Sequence, residues 1–127
     1  MKRILLVLVA IFVVSGSAFA AGAADSEPLI RKALTSGKPT LVDFGAAYCR
    51  PCKKMKPILE GLQKDYSDKA NVLFVDVKEE QNMPEKYRVV MIPTQIFYDA
   101  QGKEVKRHMG FMDKDDILKT FRLMGVK

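Results

Sequence analysis

The chain has 127 residues, of which 48% are hydrophobic and 28% charged, and its formal net charge is +6. It shows no repeats, low-complexity segments or signs of a second domain, and this length suits one domain with a buried core. The basic excess is spread along the chain without interleaved aromatic residues. This pattern predicts a solvated surface or a mild preference for acidic partners, and it argues against nucleic-acid binding.

The N-terminal segment has the pattern of a secretory signal peptide. A basic start precedes an apolar run over residues 4–14, which is too short to span a bilayer comfortably, and small residues lead to Ala20. We therefore expect a signal peptide at residues 1–20, cleaved after Ala20, and a periplasmic or otherwise exported domain at residues 21–127. An uncleaved N-terminal anchor is the alternative. A lipoprotein is not expected, because no cysteine directly follows the apolar run.

Residues 25–47 predict a short helix followed by a buried strand. Asp25 or Ser26 suits the N-cap position, and apolar residues follow at helical spacing before a glycine and a proline. The apolar run at residues 40–47 contains β-branched members and suits a strand buried on both faces. Asp43 interrupts this run.

The rest of the chain adds three helices and three strands. The expected segments are an amphipathic helix bent at Pro57 (52–68), a second buried strand (71–77), a loop with a short helix (78–89), hairpin strands (94–99 and 104–110) and a helix capped by Asp113 (113–124). Alternation followed by a hairpin predicts an α/β domain. Its mixed sheet of four to five strands is covered by helices on both faces.

Cys49 and Cys52 are the only cysteines of the chain. A bridge across two residues closes almost no loop, so a passive structural disulfide has little support. Zinc needs about four ligands, and the lone His108 suits a surface strand better than a metal site. Cu(I) carriage stays open, because two thiols and seven methionines suit this soft ion. Three of the methionines fit core or near-core positions equally well: Met55, Met109 and Met124.

The two cysteines lie at a predicted junction between a strand and a helix. Cys49 precedes the helix, and Cys52 falls in its first turn, where unpaired N–H groups and the helix dipole favour an anion. The Cys49 thiol should therefore ionise readily, and the thiolate is the nucleophilic form. Arg50 and two nearby lysines add positive potential, and Pro51 suits an early helical position. The pattern favours a redox-active dithiol.

Two separate segments resemble those of the thioredoxin family. The stretch VDFGAAYCRPCKKMKPIL is similar to the family's active-site segment, and MIPTQIFYDAQGKEV to its cis-proline segment and hairpin. The resemblance covers nearly all of residues 21–127. It implies a thioredoxin fold and a thiol-disulfide oxidoreductase that acts on disulfide-containing proteins. No cofactor or metal is implied besides a redox-active disulfide between Cys49 and Cys52, and we expect a monomer.

The resemblance also implies roles for three residues in disulfide exchange. Cys49 attacks the disulfide of a partner protein as a thiolate, and Cys52 resolves the mixed disulfide. Asp43, an acid in an apolar strand, is expected to be buried with a raised pKa and to accept the proton of Cys52, directly or through water. The alternative is that Asp43 is an exposed carboxylate or lies at the end of the strand.

Pro93 resembles the family's cis-proline, beside which an extended partner binds. Four residues would line this groove and Arg50 would overhang it: Tyr48, Pro51, Ile92 and Gly110. The chain departs from the family pattern at four positions. Tyr48 replaces a tryptophan, Arg50 a glycine, Gly45 a residue that is often aromatic, and Phe74 a lysine that assists the buried aspartate in cytoplasmic thioredoxins. The small Gly45 is expected to open space near the site.

The direction of the reaction is inferred from the same resemblance. Pro51 before the second cysteine and Ile92 before Pro93 are similar to the reducing members, whereas the cation of Arg50 favours a more oxidising potential. The segment GFMDKDDIL resembles the C-terminal periplasmic domain of the transmembrane reductase DsbD. We therefore expect a reductant supplied with electrons by a membrane carrier of the DsbD or CcdA type. A dithiol oxidase or isomerase and a non-enzymatic Cu(I) carrier are the alternatives.

Overall fold

The computed structural model describes residues 25–127. These residues form helices and strands that alternate up to a final pair of consecutive strands and a last helix. The bounds are α1 (Ser26–Leu34), β1 (Thr40–Gly45), α2 (Arg50–Asp65), β2 (Asn71–Asp76), α3 (Met83–Lys86), β3 (Thr94–Tyr98), β4 (Glu104–Met109) and α4 (Lys114–Leu123). The predicted order of elements is confirmed. The predicted signal peptide, with its cleavage site after Ala20, lies outside the described residues. Within residues 25–127, no helix has both the length and the apolar character that crossing a membrane requires.

Aspartate side chains begin two of the helices. The carboxylate of Asp25 accepts a hydrogen bond of 3.1 Å from the Glu27 N–H at the start of α1, and that of Asp113 accepts one of 2.9 Å from the Asp116 N–H at the start of α4. The first N–H groups of a helix have no partner within the helix, so such caps stabilise it. Both N-caps agree with the sequence analysis.

The four strands form one mixed sheet in the order β2-β1-β3-β4. Strand β1 pairs parallel with β2 and antiparallel with β3, and β3 and β4 form the expected antiparallel hairpin. The central strands β1 and β3 are buried along their whole length. The prediction that β2 is buried was wrong in part, because β2 lies at an edge of the sheet and Phe74 is 43% exposed.

Two hydrophobic cores cover the two faces of the sheet. One joins α2 and α4 to the sheet and includes Leu41, Met55, Leu59, Leu62, Phe97, Ile117 and Phe121. The other joins α1 and α3 to the opposite face and includes Ile30, Val42, Phe44, Val75, Met83 and Ile96. Side chains alternate between the faces of a strand. Asp43 and Gly45 therefore share with Leu41 the face that packs against α2 and α4.

One of the three methionines expected in or near the core lies elsewhere. Met55 is fully buried and Met124 packs partly against the core, as predicted, but Met109 is 54% exposed on the edge strand β4. The core placement of Met109 was therefore wrong. Met83 and Met112 are instead the other buried methionines of the described part of the chain.

Candidate active site

Cys49 and Cys52 form a disulfide at the N-terminus of α2, with their Cα atoms 5.2 Å apart. Cys49 is the N-cap residue, and its sulfur accepts a hydrogen bond of 3.3 Å from the Cys52 N–H. Cys49 is partly exposed, whereas only 4% of the surface of Cys52 is exposed. An external thiolate or disulfide can therefore reach Cys49 but not Cys52.

Gly45 ends strand β1 directly beneath this disulfide. A Cβ atom added to Gly45 would lie 3.0 Å from Phe74 Cε2, 3.2 Å from Cys52 Cβ and 3.3 Å from Cys52 Sγ. The expectation that Gly45 opens space near the site was wrong. The ring of Phe74 and the side chain of Cys52 fill that space, so the glycine is needed for close approach.

Asp43 lies two residues before Gly45 on the same face of β1 and is fully buried. Burial raises the pKa of Asp43 to about 6 from its ordinary value of 3.8, while a hydrogen bond from Gln95 partly opposes this rise. The bond joins Gln95 Nε2 to Asp43 Oδ1 over 2.7 Å, and Asp43 Oδ2 has no hydrogen-bond partner in the part of the chain that the structure describes. A carboxyl group with this pKa can both take and release a proton near neutral pH.

Gln95 is a site residue that the sequence analysis missed. It is fully buried on β3, where it is the cross-strand neighbour of Asp43. One signal was present in the sequence, because Gln95 is a polar residue inside an apolar strand, as Asp43 is. Its partner, however, depends on the strand register, which the sequence pattern alone does not specify.

A cavity of about 330 Å³ opens on the β2 side of Cys52. The side chains and backbone that line it come from the end of β1, from α2 and from β2: Ala46, Ala47, Cys52, Lys53, Lys56, Leu59, Glu60, Gln63, Phe74 and Asp76. Phe74 is the β2 neighbour of Asp43 in the parallel ladder. An apolar ring thus occupies the position at which the resemblance leads one to expect a lysine.

Pro93 lies at the same end of the sheet as the disulfide. The ladder pairs Phe44 of β1 with Thr94 of β3, so the residue before Thr94 is placed beside the end of β1. The Ile92–Pro93 peptide bond is cis, and the Pro93 carbonyl accepts a hydrogen bond of 2.7 Å from the Gly110 N–H. The structure therefore brings Pro93 and Gly110 together.

The other predicted groove residues differ in their exposure. Tyr48 is 67% exposed, Arg50 and Pro51 are exposed on the first turn of α2, and Ile92 is half-buried. Three exposed apolar side chains near Pro93 were not assigned to the site from the sequence: Met91, Met109 and Phe111. They immediately flank Ile92 and Gly110 in the chain. Because they stand alone in polar or irregular segments, no periodic pattern marked them.

Residues 25–127 bring together no group of three or more His, Cys, Asp or Glu side chains that could hold a metal ion. His108 lies on β4, and its Nε2 atom is 3.1 Å from the Phe111 carbonyl oxygen. His108 therefore has a structural partner at the bend that follows β4.

Comparison with known proteins identifies the family. The family model described as Thioredoxin matches residues 25–122, which include both cysteines and the cis-proline. The chain belongs to the thioredoxin family. The thioredoxins of Staphylococcus aureus and Staphylococcus saprophyticus are 43% identical over 77 residues, which are 61% of this chain and 73% of theirs.

Solved thioredoxin structures share the fold. Fasciola hepatica thioredoxin is 33% identical, with a TM-score of 0.67 over 80% of this chain and 92% of its own. The germline-specific thioredoxin Deadhead of Drosophila melanogaster is 30% identical, with a TM-score of 0.63 over 73% of this chain and 87% of its own. The predicted thioredoxin fold is confirmed. With its disulfide between Cys49 and Cys52, the protein is a thiol-disulfide oxidoreductase. Thioredoxins act on disulfide-containing proteins and need no cofactor.

Proposed function

We propose that this member of the thioredoxin family is an exported disulfide reductant. The observation that carries the direction is Pro51, which precedes Cys52 in the first turn of α2 where oxidising relatives favour histidine. A histidine there would stabilise the Cys49 thiolate and make the disulfide a stronger oxidant. Proline provides no such charge, so the dithiol gives up its electrons more readily.

Each catalytic cycle transfers two electrons from the protein to a client disulfide. The Cys49 thiolate attacks one client sulfur and forms a mixed disulfide, releasing the other client sulfur as a thiolate that takes a proton from solvent. Cys52 then attacks the sulfur of Cys49, which breaks the mixed disulfide and releases the second client sulfur as a thiolate that also takes a proton from solvent. The buried Cys52 must lose its proton in this step. Asp43 is the acceptor that we assign, because it lies on the strand face that Cys52 packs against.

The client is bound beside the disulfide as an extended segment. Backbone groups next to Pro93 pair with it as an added short strand, and Tyr48, Pro51 and Gly110 line the groove. Arg50 is exposed at its rim. The support for this groove is the location of Pro93 and Gly110 at the disulfide end of the sheet.

An exported reductant needs electrons from across the membrane, because the compartment outside the cytosol is oxidising. The likeness of residues 110–118 to the periplasmic reductase domain of DsbD supports a membrane carrier of the DsbD or CcdA type as donor. Suitable recipients are the cysteines of apocytochrome c, other exported disulfide proteins and oxidised thiols.

The direction is tested by equilibrium titration of the Cys49–Cys52 disulfide against glutathione. We expect a potential between those of glutaredoxins, about −200 to −230 mV, and of thioredoxin, about −270 mV. The reduced protein should also reduce insulin, and Cys49→Ser should abolish this. A potential near the DsbA value of about −120 mV would instead support an oxidase. Tight Cu(I) binding without disulfide turnover would support the metal carrier.

Export and partners are tested in cells. The mature chain should begin at Ala21 in the exported fraction, and a membrane-bound chain that retains its N-terminus would support the anchor. The Cys52→Ser variant should accumulate mixed disulfides through Cys49, because it cannot resolve them. Identification of the trapped proteins should yield both a membrane electron carrier and client proteins. Capture of neither would contradict the proposed role.

A further inference from the structure

A buried pair of polar side chains, Asp43 and Gln95, interrupts the apolar face of the sheet behind the disulfide. Both residues are fully buried and are direct cross-strand neighbours. Gln95 Nε2 donates to Asp43 Oδ1 over 2.7 Å, whereas Asp43 Oδ2 and Gln95 Oε1 have no hydrogen-bond partner within residues 25–127. Buried polar atoms without partners are rare and costly, so this arrangement needs a functional explanation.

We propose that Gln95 is a positioning residue for the proton acceptor Asp43. Its amide N–H occupies one carboxyl oxygen and leaves the other, Oδ2, free to take the proton of Cys52. This inference rests on the role of Asp43 in the proposed function. Neither the family resemblance nor the sequence pattern assigns a role to Gln95.

The two unpartnered atoms have complementary roles once the proton has been transferred. A protonated Oδ2 becomes a donor, and Gln95 Oε1 is the unsatisfied acceptor on the neighbouring side chain. Gln95 therefore offers a partner to both states of Asp43, through its nitrogen to the carboxylate and through its oxygen to the acid. The bond to the charged carboxylate is the stronger of the two kinds.

The other groups around Asp43 cannot replace Gln95. Phe74 on β2 is apolar, and Cys52 is the α2 residue that packs against the end of β1 on this face. His108 on β4 neighbours Gln95 in the ladder but contacts the Phe111 carbonyl. The remaining ionisable side chains of this region line the cavity beside Cys52: Lys53, Lys56, Glu60 and Asp76. Gln95 is the one hydrogen-bond partner of the Asp43 side chain in the described structure.

The test substitutes Gln95→Met, which keeps the length of the side chain and removes the amide. The measured quantity is the resolution step when the reduced protein reacts with Ellman's reagent, followed across pH as the release of the second thiolate. We expect this step to be about fivefold slower near pH 6 and unchanged near pH 9, because loss of the donor raises the pKa of Asp43 by about one unit. The matched control is Gln63→Met, which removes an α2 amide bonded to the Val72 carbonyl.

Asp43→Asn separates this inference from the proposed function. Asp43→Asn should lose the resolution step near pH 6. The double variant Asp43→Asn/Gln95→Met should behave like Asp43→Asn. If Asp43→Asn keeps the step, the proton-transfer role of Asp43 is wrong and Gln95 has no acceptor to position. In the other case, Asp43→Asn loses the step, but in Gln95→Met the pH midpoint of the resolution step stays at the wild-type value or falls. This result overturns the role of Gln95 alone.

A measurement on the unaltered protein covers the case in which Gln95→Met does not fold. In the ¹⁵N-labelled oxidised protein, whose cysteines do not titrate, the side-chain amide signal of Gln95 should titrate with the same midpoint as Asp43, near pH 6. The side-chain amide signal of Gln63 should not move over this range. An invariant Gln95 signal would overturn the proposal.

Discussion

Gly45 is the residue at which one added carbon atom would disturb the site most directly. Gly45→Ala places a Cβ atom 3.0 Å from the Phe74 ring and 3.3 Å from Cys52 Sγ. We expect the free energy of unfolding to fall by about 1 to 3 kcal/mol, because the ring and the disulfide must shift. Chemical denaturation of the oxidised protein measures this change.

The control for this substitution lies in α2. Among the described residues, a Cβ added to Gly61 meets no atom within 4 Å, so Gly61→Ala should raise the free energy of unfolding by about 0.5 to 1 kcal/mol through helix propensity. Equal effects of the two substitutions would show that the space around Gly45 is not restricted.

Phe74 keeps the neighbourhood of Asp43 apolar. In Phe74→Lys a cation replaces the ring beside the carboxyl group, and we expect the pKa of Asp43 to fall from about 6 by about one unit, since an opposite charge favours the ionised form. Infrared titration of the carboxyl band measures this pKa. Phe74→Met, which brings no charge, should leave it near 6, and a similar fall in that variant would contradict the electrostatic explanation.

The individual site residues differ in how far sequence reasoning could identify them. Cys49, Cys52 and Pro93 belong to motifs with fixed spacing, and Asp43 was conspicuous as an acid in an apolar strand. Gln95 gave a similar but weaker signal, and only the register shows that it meets Asp43. The filled space around Gly45 was not predictable, because Phe74 approaches from a strand that is distant in sequence.

At the scale of elements, the N-terminus of α2 determines the chemistry of the disulfide. Arg50, the first residue of this helix, places an exposed cation next to Cys49. Arg50→Ala should make the reduction potential more negative by about 5 to 20 mV, because the thiolate loses a favourable charge at the helix N-terminus. Lys64→Ala, which removes a cation from the last turn of the same helix, should leave the potential unchanged. A shift toward more oxidising values in Arg50→Ala would contradict this explanation.

The elements themselves were predictable where local rules dominate. Asp25 and Asp113 cap α1 and α4 as expected, since a cap depends only on adjacent residues. The exposure of Phe74 was not predictable in the same way. An apolar run in the sequence predicts a buried strand whether that strand is central or at an edge. Only the strand order of the sheet places β2 at the edge.

For the whole molecule, the buried Asp43 makes stability depend on pH. Its pKa is 3.8 in an ordinary environment and about 6 in the folded protein, so the folded state binds the proton more tightly. The stabilisation is therefore fully present below pH 3.8 and is lost as the pH rises through 6. The free energy of unfolding falls by about 3 kcal/mol over this range, because the pKa of Asp43 is about two units higher in the folded protein.

Asp43→Asn should remove this dependence, because the amide does not ionise. The variant should gain about 3 kcal/mol relative to the wild type between pH 3.5 and pH 8, measured by chemical denaturation at both values. Asp76→Asn, at a partly exposed aspartate at the end of β2, serves as the control and should show no such gain. A constant difference between Asp43→Asn and the wild type at the two pH values would contradict the raised pKa.

The edge strand β4 affects whether molecules of this protein associate through their sheets. It carries Lys106 and Arg107, and its pairing with β3 shifts register between Phe97 and Tyr98. Positive side chains and an irregular backbone hinder a second sheet from adding to such a border. Concentrated solutions of the protein should therefore resist fibril growth through the β4 edge, even though the backbone hydrogen-bonding groups of that edge face outward.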